Sequence, residues 1–140
     1  MTTSNVYGLA STDLVLGNWN WITSNIYFVL CSSAYTPNVD TDQYASSLIG
    51  EISGGGYTRQ LLPNRTAVYD STNNGTVLSS DLVQFISITG TFRYAIAIKN
   101  TGSDASSNLL FWIDYGADQV YAAQTLTIPT PSPGWIMVQV

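Results

Sequence analysis

Short runs of β-branched and aromatic residues recur along this chain, separated by clusters of Gly, Asn, Asp, Ser and Pro. Such runs between turn-forming clusters are typical of β-strands. The clearest run places its large apolar residues at alternate positions: Phe92, Tyr94, Ile96 and Ile98. Because alternate residues of a strand share one face, the pattern predicts an all-β fold.

We predict eight strands, at residues 21–31, 66–69, 76–78, 82–89, 91–99, 109–115, 120–128 and 135–140. The Asn-Asn-Gly sequence at residues 73–75 predicts a tight hairpin turn, because these residues readily adopt positive φ. Thr89-Gly90 predicts a break between two strands. At most one short helix is predicted, near residues 41–49, with Asp40 or Thr41 as its cap.

Strands of uneven length with long connections predict one β-sandwich domain of the jelly-roll type over residues 1–140. A chain of this length can bury one substantial core. An immunoglobulin-like sandwich is less favoured, because Cys31 is the only cysteine. The proline-rich segment 129–134 is predicted to be an extended arm, since proline cannot continue a central strand ladder.

The chain has no histidine and only 9% charged residues, which removes most of the side chains that catalysis uses. Histidine is the side chain that most readily titrates near neutral pH. Cys31 follows an apolar run with no base nearby, which indicates a buried structural thiol. We therefore predict a protein that is not an enzyme, with no catalytic residue, no cofactor and no metal ion.

Two acidic patterns offer weaker alternatives. Asn38, Asp40 and Asp42 have the spacing that opens a calcium loop, but the required later Gly and Glu are missing. Asp114 and Asp118 could pair as glycosidase carboxylates if the fold set the right separation. A capped helix and a polar turn are the favoured interpretations.

The charge balance limits the partners. Four Lys or Arg against nine Asp or Glu give a net charge of −5. This balance predicts no binding to nucleic acid and none to an anionic membrane, since both require clustered positive charge. The first five residues lack the pattern of a secretory signal, so we expect synthesis in a cytoplasm.

Exposed aromatic and glycine-rich segments are the candidate contact sites. Trp19 and Trp21 lie among asparagines, which predicts partial exposure. The three glycines at residues 54–56 predict either close backbone approach or a loop that a partner orders. The residues predicted to contact a partner protein or another copy are Trp19, Trp21, Tyr35, Tyr57, Arg59, Pro131 and Pro133.

Four runs of sequence resemble small structural proteins of tailed bacteriophages. They are YTPNVDTDQY at residues 35–44, GEISGGGYTR at 50–59, FRYAI at 92–96 and LFWIDYG at 110–116. Among those proteins the chain is most similar to capsid cement or decoration proteins, over about residues 26–140. It departs from their pattern in its three consecutive glycines and its proline-rich end.

The resemblance implies a jelly-roll domain on the outer capsid surface of the virion. Its implied function is to bind the outside of an HK97-like major capsid shell and stabilise it across subunit joints. The implied partners are the major capsid protein and further copies of the chain, as a dimer or other small homo-oligomer. The alternative is a phage tail or fibre module that binds a host carbohydrate through Trp and Tyr side chains.

Overall fold

Two antiparallel β-sheets pack against each other in the computed structural model, which describes residues 4–139. The strands are β1 (Ser4–Val6), β2 (Ile26–Cys31), β3 (Gln60–Leu61), β4 (Thr66–Asp70), β5 (Gly75–Ser79), β6 (Val83–Lys99), β7 (Leu109–Ile128) and β8 (Ile136–Gln139). An α-helix, α1 (Gly8–Val15), follows β1. The predicted all-β sandwich is confirmed, and its jelly-roll type stays a prediction. Of the predicted domain, residues 1–3 and 140 lie outside the described residues.

The larger sheet has the strand order β1-β7-β6-β2-β3, and the smaller sheet has the order β4-β5-β8. β6 and β7 form a long hairpin whose pairing runs from Val83 opposite Ile128 to Ile98 opposite Leu109. Four register shifts interrupt this pairing. Such irregularities bend a strand pair and increase its twist, which lets one hairpin extend from the large sheet toward the small one.

Several predicted strands are confirmed, but two predicted breaks are wrong. The turn at residues 73–75 joins β4 and β5 as predicted, with φ of 54° at Asn74. The predicted break at Thr89-Gly90 lies inside the continuous strand β6, and the predicted gap at residues 116–119 lies inside β7. A glycine within a strand often marks a bulge or a close approach, and a Cβ at Gly90 would meet the Ile52 side chain at 3.4 Å.

The helix predicted at residues 41–49 is wrong, because only Ala45–Ser47 form a single 3-10 turn there. The backbone of Ala45 donates instead to the Ser107 carbonyl at 2.8 Å, which ties the segment to the start of β7. The sequence did not predict α1. Its buried residues are Ala10 and Asp13, so it lacks the stripe of large apolar side chains that identifies a helix.

The main core lies between the sheets and centres on three aromatic rings. Phe111 lies 5.7 Å from Phe28 and 5.5 Å from Trp135, measured between ring centroids. Trp135 also packs on Phe28 at 5.4 Å. A second buried cluster, which includes Tyr7 and Ile96, covers the opposite face of the large sheet beneath α1. The part of the β6–β7 pair that lies between β2 and β1 in the large sheet, here called its inner half, is therefore buried on both faces.

Asp13 on α1 is a buried carboxylate held by amide groups from three other segments. It accepts hydrogen bonds from Asn18 at 2.9 Å, from Gln43 at 3.2 Å and from Asn108 at 2.9 Å. Buried polar groups stabilise a fold only when such partners satisfy them. This cluster fixes α1 against the loops that cover the second core.

We expect Asp13→Asn to lower the free energy of unfolding by about 1–3 kcal/mol, because the new amide places donors against donors. Urea unfolding measures the change. Asp40→Asn, at an exposed aspartate, is the matched control and should change stability by less than about 0.5 kcal/mol. Equal stability of the two variants would contradict this role for Asp13.

Candidate contact surfaces

Three of the predicted contact residues are buried. Trp19 and Trp21 are each 3% exposed and Tyr35 is 2% exposed, so the predicted partial exposure of the two tryptophans is wrong. The Trp19 indole donates to the Ala10 carbonyl at 2.9 Å, and the Trp21 indole donates to the Ser79 carbonyl at 3.0 Å. These bonds direct both rings inward, although the neighbouring asparagines are exposed. None of the three side chains offers a surface in the folded chain.

Tyr35 belongs to a buried chain of hydroxyl groups. It donates to Asp42 at 2.7 Å, and its hydroxyl lies 2.8 Å from that of Tyr7. Burial is the main cause that raises the pKa of both tyrosines. The two hydroxyls therefore stay protonated and join Tyr7, at the start of α1, to the loop at residues 35–42.

Tyr57 and Arg59, both half-buried, do come together, around Glu51. Arg59 makes two hydrogen bonds to Glu51, at 2.8 and 2.9 Å, and two to Asp104, at 3.0 and 3.3 Å. Tyr57 donates to Glu51 at 2.8 Å and accepts from the Leu30 backbone at 3.1 Å. The bond to Glu51 is the main cause that raises the pKa of Arg59. The guanidinium of Arg59 is therefore bonded to carboxylates of its own chain. It lies beside an open depression of about 610 Å³.

The glycine loop at residues 54–56 packs on β6, so close backbone approach is the correct interpretation. The Thr89 backbone donates to the Gly55 carbonyl at 2.8 Å. Gly55 has a φ of 56°, and a Cβ there would lie 2.3 Å from the Thr89 carbonyl oxygen. Only glycine fits both the backbone angle and the space.

We expect Gly55→Ala to destabilise the protein by roughly 1–3 kcal/mol more than Gly54→Ala, because overpacking adds to the backbone strain. Gly54 is the matched control, since it has a φ of 69° and nothing within 4 Å of a Cβ. Chemical denaturation of both variants measures the difference. Equal losses would show that the loop does not depend on its contact with Thr89.

The segment 129–134 is a short link between sheets, so the predicted extended arm is wrong. It connects β7 to β8, and its Thr130 side chain donates to the Ser80 carbonyl at 2.7 Å. The Trp135 indole then donates to the Ser80 hydroxyl at 2.8 Å. Pro131 is half-buried and Pro133 is exposed, so Pro133 is the more accessible of these two candidates.

Asp114 and Asp42, which belong to the two acidic patterns in the sequence, are hydrogen-bonded to other groups of the chain. Arg93 binds Asp114 through two hydrogen bonds, at 2.9 and 3.2 Å. The Arg93 side chain lowers the pKa of Asp114, whereas a glycosidase acid needs a raised pKa. The Asp42 carboxylate accepts from the Asn38 backbone at 2.9 Å. Within residues 4–139, no group of three or more His, Cys, Asp or Glu side chains could hold a metal ion.

The ion pair predicts how Asp114 contributes to stability at different pH values. Because the folded pKa is lowered, the contribution is complete above the pKa of an unfolded aspartate, about 3.9. It is lost as the pH falls through the lower pKa of the folded protein. The stability difference between wild type and Asp114→Asn should therefore shrink in acid, and Arg93→Gln should reduce the dependence, leaving the part that comes from the Gly116 backbone hydrogen bond. Parallel wild-type and Asp114→Asn profiles between about pH 2 and 6 would contradict this assignment.

Edge strand β4 is a candidate contact surface that the sequence did not reveal. Thr66 to Tyr69 are all exposed, with Val68 at 62% and Tyr69 at 56%. β4 pairs in regular register with β5 and is the end strand of the small sheet among the described residues. Edge strands of proteins that act alone usually carry a charge, a proline or a bulge against further pairing. Residues 66–69 contain none of these.

Arg65 holds the start of β4 in place. Its guanidinium donates to the backbone carbonyls of Trp21 at 2.6 Å and Leu62 at 2.8 Å, and it also binds the carbonyl of Ser24. Burial lowers the pKa of Arg65. The neutral run Thr-Ala-Val-Tyr that follows this arginine is the sequence feature that indicates an exposed strand. It lacks the alternation of apolar and polar residues that is typical of a strand covering a core.

Some of the other exposed apolar residues lie in connecting segments, such as Ile22 and Ile49, and others lie on the irregularly paired β6 and β7 or beside a groove. Val120 on β7 is 73% exposed, but the neighbouring part of the β6–β7 pair contains register shifts. Within residues 4–139, no helix reaches the length and apolarity needed to span a bilayer. Among the end strands of the two sheets, β4 has the longest regular pairing, with five residue pairs against four for β8, three for β1 and two for β3.

Comparison with known proteins identifies no relative: no family model, no curated protein and no solved structure matches this chain. The likeness of residues 35–44 and 50–59 to phage structural proteins stays a resemblance.

Proposed function

We propose that this protein is a virion structural protein, which binds the outside of an HK97-like major capsid shell and stabilises it across subunit joints. The observation that carries the proposal is the uncovered edge of β4, which carries no charge over residues 66–69. An exposed edge presents a row of backbone donors and acceptors that another strand can pair with. Val68 and Tyr69 add apolar contact area beside that row.

The distribution of charge supports a site on the outer surface. All four basic side chains bind groups of this chain: Arg59, Arg65, Arg93 and Lys99. The carboxylates exceed the bases and give the net charge of −5. A negative protein is repelled by the packaged nucleic acid inside a shell. The outer face of the shell imposes no such repulsion.

The mechanism needs binding free energy and no catalytic group. A protein that binds the intact shell adds its binding free energy to what must be overcome before the shell opens. Many copies on one shell add their contributions, even if each copy binds weakly. Self-association as a dimer or other small homo-oligomer belongs to the same proposal, because a free strand edge can also pair with its own copy.

The carbohydrate-binding alternative loses its main structural support. Its stacking platform was predicted from Trp and Tyr side chains, and of these Trp19, Trp21 and Trp135 are each only 3% exposed, whereas Tyr69 is 56% exposed. Trp112 is half-buried and packs on Tyr7, with ring centroids 4.6 Å apart. No observation therefore favours this alternative over shell binding.

We expect the wild-type protein to co-sediment with expanded shells that lack it and to raise their resistance to heat. Val68→Lys should weaken this binding about tenfold or more, because burial of the valine is lost and the edge gains a blocking charge. Val120→Lys, the same change at another exposed valine, is the control and should bind like wild type.

No co-sedimentation of the wild-type protein would overturn the proposal. Equal binding by Val68→Lys would show that β4 is not the contact surface. Unfolding curves of both lysine variants confirm that each is folded before binding is compared.

A further inference from the structure

An apolar groove of about 290 Å³ lies between α1, the end of β1 and β8. Its lining includes Leu14 and Trp19 on one side and Met137 and Val138 on the other. Val15, which also lines it, is 87% exposed, and Val138 is 40% exposed. A groove of this kind exposes apolar surface that a partner can bury.

The backbone of β8 forms one wall of the groove. β8 pairs with β5 and is the other end strand of the small sheet among the described residues. The backbone groups on its outer edge therefore face the side of the groove. β1, which contributes Val6, is the end strand of the large sheet. Among the described residues, the groove lies on the side of the sandwich where no strand pairing connects β1 of the large sheet to β8 of the small sheet.

The uncharged lining of the groove limits the kind of segment that can bind in it. None of the side chains that line the groove is charged, although the chain carries nine acidic residues. A charged segment would lose hydration there without gaining an ion pair. The part of the partner that enters is therefore uncharged, with apolar side chains.

The size of the groove also distinguishes a segment from a globular face. A stable interface between two folded proteins buries about 800 Å² on each partner, which is far more than this narrow groove provides. An extended strand suits it better, because its alternate side chains point to one face. Its backbone can pair with the outer edge of β8 at the same time.

We propose that the groove receives an extended, uncharged segment of the shell subunit, which adds as a strand to β8 and places alternate apolar side chains between β8 and α1. The identity of the partner rests on the proposed function, whereas the groove and the strand edge do not. Docking in this way adds a fourth strand to the small sheet and covers Val15 and Val138. This contact is separate from the one at β4, which lies at the opposite end of that sheet.

Hydrogen exchange on shells carrying the wild-type protein tests the strand pairing. We expect the amides of β8 to exchange at least about tenfold more slowly on the shell than in the free protein, because they gain protection in a central strand. Val138→Lys should reduce co-sedimentation about tenfold or more, because it puts a charge in the groove. Val120→Lys is the matched control and should behave like wild type.

A photo-reactive p-benzoylphenylalanine in place of Val15 provides a measurement that does not depend on the folding of Val138→Lys. Cross-links should fall within a single segment of the shell subunit. Cross-links to several regions or to none, or unchanged exchange in β8 while the wild-type protein binds, would overturn the groove assignment and leave shell binding in place. Failure of the wild-type protein to bind shells would remove the named occupant and overturn both proposals.

Discussion

The antiparallel pairing of β6 with β7 is the interaction on which the rest of the structure depends. Its inner half carries β2 on one side and β1 on the other and is buried on both faces. Its outer half, beyond the register shifts, contributes Phe85 and Leu126 to the core that the small sheet covers. Because one bent hairpin serves both sheets, the remaining strands need only be short.

That arrangement leaves short strands at the ends of both sheets. β4 and β8 are the two ends of the small sheet, and each presents apolar side chains next to an outer backbone edge. The four bases are bonded within the chain, so few positive charges interrupt these surfaces. Unpaired strand edges and neutral surroundings suit a protein that functions through contact, and they support the proposal of a structural role in a virion.

Local sequence predicted the strands whose β-branched and aromatic runs end at turn residues, such as β2 and β5. It failed for α1, because Asp13 replaces the apolar stripe and takes its partners from distant loops. It also failed for Trp19 and Trp21. Their exposed neighbours predict partial exposure, but hydrogen bonds from the indoles to remote carbonyls hold both rings in the core. The β4 surface depends on which strand ends a sheet. That is a property of the assembled fold and is not visible within any one segment.

The most direct measurement is a reconstruction of a virion that contains this protein, at a resolution that traces its strands. The account predicts copies on the outside of the shell, with the backbone of β4 within hydrogen-bonding distance of a neighbouring protein. It would be contradicted if every copy left the β4 edge in solvent, or if the protein lay in the tail.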